Sequence, residues 1–320
     1  MRKSLFENLQ YYKPNFWHSA LILLIMLVVG LLLSLALMVG IALFTGKNVM
    51  ECTANPSFSA LNFALPFLPP FAWCMLYGAV KRRDGESPLP YNSPDWGSIT
   101  PLKLFALLIP LTLCISLLMD PLSLLFEASE QMKRTFELQL SSFWGLLAIV
   151  VLAPLLEESL LRGTIARGLF ANYQSPVVGI VASALLFGAL HLNLWQAIPA
   201  TLIGIALGWI YYRTHCLWCT IFMHFINNGC SALLYFLYPQ KSLESALCQI
   251  MPLKLYIVCY VAAAILAALI IYYLNKNLSK MNIRWIRRRD YTRYNFKQTA
   301  GRESGAPRTG RSGASMEQVP

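Results

Sequence analysis

Apolar runs long enough to cross a bilayer recur along this chain, and they restrict its fold more than any other feature. A hydrocarbon core of about 30 Å needs roughly 20 helical residues, and within it backbone groups must pair internally. Such runs fall near residues 20–43, 60–80, 104–119, 143–161, 177–192, 198–212, 217–237 and 255–274. The expectation is an all-α, polytopic membrane bundle of about eight transmembrane helices. Two of the runs, 104–119 and 198–212, are short, so seven or nine spans stay open. Charged residues make up 13% of the 320, against about 25% in soluble domains, which excludes an ordinary soluble enzyme. The first run lacks an Ala-x-Ala cleavage pattern and is too long for a signal-peptide core, so it is expected to be retained.

Lysine and arginine set the orientation. With eight spans and the N-terminus inside, 21 of the 26 basic residues fall on inner segments, and Lys47, Lys133, Arg134, Lys241 and Lys254 fall outside. Both termini are therefore expected to be cytoplasmic. The chain divides into a cytoplasmic N-terminus (1–15), a membrane domain (16–275) and a basic tail (276–320). The tail cluster Arg284, Arg287, Arg288 and Arg289 reads as a partner for anionic lipid headgroups, and no nucleic acid is expected. Beyond about residue 299 the composition suits a segment without a core.

Other features read as architecture. Residues 121–140 mix Leu and Phe with Glu and Lys, as an amphipathic surface helix does, and residues 81–100 form an irregular inner loop. Eight cysteines lie mostly in apolar runs, where they behave as small hydrophobes. Cys216 and Cys219 have redox spacing in a packing environment, and a Cys52–Cys248 disulfide on the outer side has no support.

Against this background Glu157 and Glu158 stand out. The other 13 acidic residues lie outside every membrane-length apolar run. A carboxylate near the bilayer centre costs about 2.5–3.5 kcal/mol on insertion scales, so such residues usually face a polar interior and serve a function. Two of the four histidines, His191 and His224, also lie in apolar runs, while His18 and His215 read as interfacial. Glu157 and His191 stand 17 residues either side of Gln174. A helical hairpin closed at 172–176 therefore places them at similar depth. Taking Arg162 and Arg167 as marking the inner interface puts Glu157 about 8–12 Å inside. His224 and Asn228 share a helix face at i and i+4, and Glu158 and Arg162 form an i,i+4 ion pair. Pro154 frees the carbonyl of Val150 and makes room beside the carboxylates.

Such a cluster can deprotonate water and donate to a developing oxyanion. Glu157, His191 and His224 also make a ligand set for zinc, with water completing the shell. The residues leave that choice open. A paired-aspartate protease does not fit, because Asp84, Asp95, Asp120 and Asp290 fall in loops or at span edges. A serine hydrolase fits no better, since Ser183 and Ser231 lack an exposed Gly-rich setting. A proton or cation transporter built on the same Glu/His cluster, and a non-catalytic immunity or binding scaffold, are the rivals to a hydrolase.

Glu157-Glu158-x-x-x-Arg162, Phe187-x-x-x-His191 and His224-x-x-x-Asn228 resemble, in order and spacing, the three motifs of the CPBP family. These are the CAAX-processing and bacteriocin-processing intramembrane proteases, also called Abi proteins, which include the CAAX prenyl endopeptidase. The resemblance covers residues 142–237. It implies an eight-helix fold with a cavity opening toward the cytosol. In it Glu157 activates water with help from His191, His224 and Asn228 form an oxyanion site, and Glu158 and Arg162 support them. It implies a membrane-associated, prenylated or precursor peptide as substrate, with or without a metal. A bacterial plasma membrane fits best, with the endoplasmic reticulum also open.

Overall fold

The computed structural model describes residues 5–125, 128–238 and 247–279, and these fold as helices joined by short connections, with no strand among them. Seven helices are long and apolar enough to cross a membrane: α1 (Phe16–Thr45), α2 (Pro56–Arg83), α3 (Pro101–Leu122), α5 (Phe143–Tyr173), α7 (Leu194–Thr214), α8 (Leu217–Leu237) and α9 (Leu253–Asn277). The expected amphipathic segment is α4 (Glu130–Leu140), and α6 (Pro176–Ala189) is a shorter apolar helix. The chain is an integral membrane protein.

The run expected at 177–192 is thus a shorter helix than the other seven. Fourteen residues reach about 21 Å, although the apolar run continues to Leu192. The helix stops because Leu192 turns into the left-handed region (φ 54°). Asn193 then caps α7, its Oδ1 accepting the Gln196 amide at 2.9 Å. The run expected at 198–212 is correspondingly longer in the structure. The α6–α7 hairpin packs backbone to backbone: a Cβ on Gly188 would lie 2.1 Å from Thr201 Oγ1, and one on Gly204 would lie 3.2 Å from Ala184. Small residues allow that approach in membranes.

Hydrogen bonds define two ends of the bundle. At the first, the loop after α2 stitches the N-terminal segment to the helix termini. Leu89 N–H donates to Gln10 O, Ser93 N–H to His215 O, Asp95 N–H to Thr214 O and Ser98 N–H to Asn277 O, at 2.7–3.0 Å. The N-terminal segment and the end of α9 therefore share one end, and the α5–α6 connection lies there too, closing at Gln174 (φ 52°) as the hairpin at 172–176 requires. His215 sits in this end with burial pushing its pKa down to about 4, which keeps it neutral. At the opposite end Ser142 Oγ donates to Pro56 O at 3.3 Å, Leu247 N–H donates to the Asp120 carboxylate, and Phe136 of α4 meets Trp195 edge-on at 5.9 Å.

Arg167 is not at an aqueous interface. It is 3% exposed, and its guanidinium donates to five backbone carbonyls: Gly163 at 2.8 Å, Gln10, Leu89, Leu9 at 2.7 Å and Tyr12 at 2.8 Å. Arg213 does the same for α9, binding the carbonyls of Asn275, Leu278 and Ser279. Arg167→Met strands buried carbonyls at about 1–3 kcal/mol each. It is expected to lower the melting midpoint in detergent by roughly 5–10 °C. Arg167→Lys should not restore it, because an ammonium lacks the five-donor fork; a lysine variant melting with the parent would refute the staple.

All eight cysteines are free, so Cys52 and Cys248 are unpaired, and Cys216 and Cys219 pack in the main core. The tail expectations, including the arginines from Arg284 to Arg289, fall at 280–320, outside the described residues; so do Lys241 and Asp290.

Candidate active site

The Glu pair sits in the middle of α5, where the helix changes winding. Ala153–Leu160 is α-helical, and single π-helical turns flank it at Leu147–Leu152 and Leu161–Ala166. Such turns are frequent at functional sites. The first is tied to Pro154. The Ala153 amide donates five residues back, to Ala148 O. In that register the partner of Ile149 O would be the amide of residue 154, which proline lacks. The orphaned carbonyl is therefore Ile149, not the expected Val150, and Asn228 Nδ2 donates to it at 2.9 Å. One amide hydrogen of Asn228 is committed to the helix kink and one is left.

The carbonyl at this end orients a row of amides. Asn228 must present nitrogen to Ile149 O, so its oxygen faces Asn227 and accepts from Asn227 Nδ2 at 3.1 Å. The Asn227 oxygen in turn accepts from Ser116 Oγ at 2.9 Å. Ser116, on α3, lies outside the motif-bearing stretch, and no local pattern announced it. The serines weighed as nucleophiles are otherwise engaged: Ser183 Oγ donates to Ile180 O at 3.1 Å and Ser231 Oγ to Asn227 O at 3.1 Å.

Glu158 and Arg162 are both fully buried, and Arg162 Nη1 meets Glu158 Oε1 at 2.8 Å. Arg162 Nη2 donates to Gly204 O at 3.0 Å, and its guanidinium stacks 4.9 Å from the centre of the Phe187 ring. Like Arg167, it does not mark an interface. Glu157 consequently lies deeper than expected, sixteen residues from the Tyr173 end of α5 and fourteen from the Phe143 end.

His224 bridges the two carboxylates. Its Nδ1 lies 3.0 Å from Glu158 Oε1 and its Nε2 lies 3.8 Å from Glu157 Oε2. A carboxylate paired with Arg162 only accepts, so Nδ1 carries the proton and Nε2 is directed at Glu157. His191 Nδ1 donates to Phe187 O at 3.1 Å, leaving its Nε2 free as well. Phe187 holds the cluster together, meeting His191 edge-on at 5.3 Å and His224 at 5.7 Å. Within the pair only Glu157 reaches accessible space: its side chain is 14% exposed and that of Glu158 is 0%.

The structure thus gathers Glu157, Glu158, Arg162 and His224 with Phe187, sets His191 against Phe187, and places Asn228 one turn along α8. The types are right for zinc but the arrangement is not: among the described residues no three His, Cys, Asp or Glu side chains converge as metal ligands. One turn from the Glu pair lies an apolar cavity of about 340 Å³ walled by Pro154, Leu155, Ile221, Phe222 and Phe225.

Residues 139–230 match the family model of the type II CAAX prenyl endopeptidases, Rce1-like. The matched stretch contains all three motifs, so the resemblance to CPBP intramembrane proteases is borne out. No curated protein and no solved structure matches the chain.

Proposed function

We propose that the chain is an intramembrane endopeptidase that hydrolyses peptide bonds of a membrane-associated, prenylated or precursor peptide with a water activated by Glu157. The observation that carries this is the division of labour within the Glu pair. Glu158 is consumed by Arg162 and His224, while Glu157 stands free of a hydrogen-bonded cation and accessible. A general base has to reach its water. His191 Nε2 is available to position that water. The uncommitted Asn228 amide hydrogen donates to the oxyanion, and His224 Nε2 joins it after taking over the proton that Glu157 removes from the water. Glu158 and Arg162 are positioning residues.

The apolar cavity one turn from the Glu pair, against Pro154 and Leu155, supports a substrate with a lipid group or apolar side chains near the scissile bond. A bacterial plasma membrane or the endoplasmic reticulum suits such a substrate, and anionic lipids suit the basic tail.

The test is hydrolysis in detergent of a fluorescence-quenched peptide, lipidated and unmodified, with the new terminus read by mass spectrometry. Cleavage at one bond is expected. Binding without cleavage would establish a scaffold instead, and proton or cation flux in proteoliposomes without cleavage would establish a transporter.

A further inference from the structure

The surroundings of Glu157 are sealed on one side and open on the other. Toward the first end of the bundle every residue from Leu160 to Phe170 is buried, as are Thr220, Cys219, Arg213 and Thr214 on the neighbouring helices. Beneath them the loop after α2 is stitched across the helix termini. The polar side chains of this layer, Arg162, Thr164, Arg167, Thr214 and Thr220, are themselves buried at 0–3%, and Arg167 is spent on the carbonyls of Leu9, Gln10, Tyr12 and Leu89, so none of them opens a wet path to that surface.

Toward the opposite end the pattern inverts. α8 runs from the first end at Cys216 toward Leu237, and its polar residues beyond His224 become progressively accessible: Asn227 and Asn228 are half-buried and Ser231 is exposed. The tip of the α6–α7 hairpin points the same way. There His191, Asn193 and Gln196 are half-buried and Leu192 is 74% exposed. Trp195, in the same turn of chain, packs on α4 of that end. A row of carboxamides at this exposure is costly against hydrocarbon, so the space beside them is wet.

The two ends also differ in charge. Lys13, Lys81, Arg82, Arg83, Lys103 and Lys276 lie at the sealed end, and Lys47, Lys133, Arg134 and Lys254 at the open one. By the positive-inside rule the sealed end is cytoplasmic. We infer that the site opens to the extracytoplasmic face, opposite to the cytosolic opening that the family resemblance implies. Water and peptide reach Glu157 past Leu192, Asn228 and Ser231. Resting on the endopeptidase reading, this makes the substrates peptide segments presented outside the cytoplasm, such as exported or membrane-anchored precursors.

Single cysteines introduced in the full chain test this with a membrane-impermeant maleimide on intact cells, against the parent's own thiols as background. Leu192→Cys and Ser231→Cys probe the vestibule, Lys254→Cys marks the open end, and Asp84→Cys marks the sealed end. The expected result is labelling of the first three from outside, and of Asp84→Cys only after permeabilisation. Labelling of the vestibule cysteines only with Asp84→Cys, or from neither side, would overturn the open-end assignment. Labelling of Lys254→Cys only after permeabilisation would overturn the orientation. No cleavage is read, so failure here leaves the endopeptidase reading standing, and an inert enzyme leaves this inference standing.

Discussion

Glu157→Gln is expected to lower kcat for peptide hydrolysis by roughly 10²–10⁴-fold, the range a general base supplies, with little change in KM or in the melting midpoint. The amide keeps the volume and polarity of the side chain but cannot accept the proton of the attacking water. Stability is expected to be spared because Glu157 makes no hydrogen-bonded ion pair, His224 Nε2 standing 3.8 Å from its Oε2. The same substitution at Glu158 acts differently. A neutral amide there weakens the pairing with Arg162 and lets either atom of the carboxamide face His224 Nδ1, so the imidazole loses its fixed tautomer. Glu158→Gln should therefore lower both kcat and the melting midpoint. Rates and melting curves of the two variants in the same detergent separate the roles. A Glu157→Gln protein that cleaves as fast as the parent would remove Glu157 from the reaction, and an equal thermal loss in both variants would erase the distinction drawn within the pair.

Most of the site could be read from the chain because its residues are out of place there. Carboxylates and imidazoles in apolar runs are costly, so Glu157, Glu158, His191 and His224 identify themselves, and spacing about Gln174 pairs two of them. The hairpin was legible for a local reason too: Ser175 caps α6, its Oγ accepting the Val178 amide, and Pro176 takes the first helical position. Depth was not legible. Arginines near the end of an apolar run usually snorkel to the interface, yet Arg162 and Arg167 find acceptors in remote backbone, at Gly204 and at Leu9, Gln10, Tyr12 and Leu89. Periodicity carries no trace of such partners. The π register around Pro154 was equally hidden, because an α-helical count assigns the orphaned carbonyl to Val150. The end of α6 was placed late because Leu190 and Leu192 prolong the apolar run past the helix end, and the start of α7 was placed late because its cap, Asn193, precedes the run.

Arg162→Met should be among the most destabilising single changes in the chain. It leaves the Glu158 carboxylate fully buried without its cation, and breaking a buried pair in this way costs about 3–5 kcal/mol. It also removes the donor to Gly204 O that ties α5 to the close-packed α6–α7 hairpin, and the cation over Phe187. Lysine should rescue little, since one ammonium cannot reproduce the planar fork that serves the carboxylate and the carbonyl together. The expected outcome is a steep loss of protein that remains monodisperse in detergent. Removing the stranded charge as well, in Glu158→Gln with Arg162→Met, should recover much of that stability, because replacing both members of a buried pair is far less costly than removing one. Activity should not return with it, since His224 still lacks the carboxylate that sets its tautomer and aims Nε2 at Glu157. Recovery of folding without recovery of turnover would show that the pair positions the imidazole as well as holding the helix. A double variant no more stable than Arg162→Met alone would mean the two charges are not coupled, and a double variant with parental turnover would leave His224 in no need of Glu158.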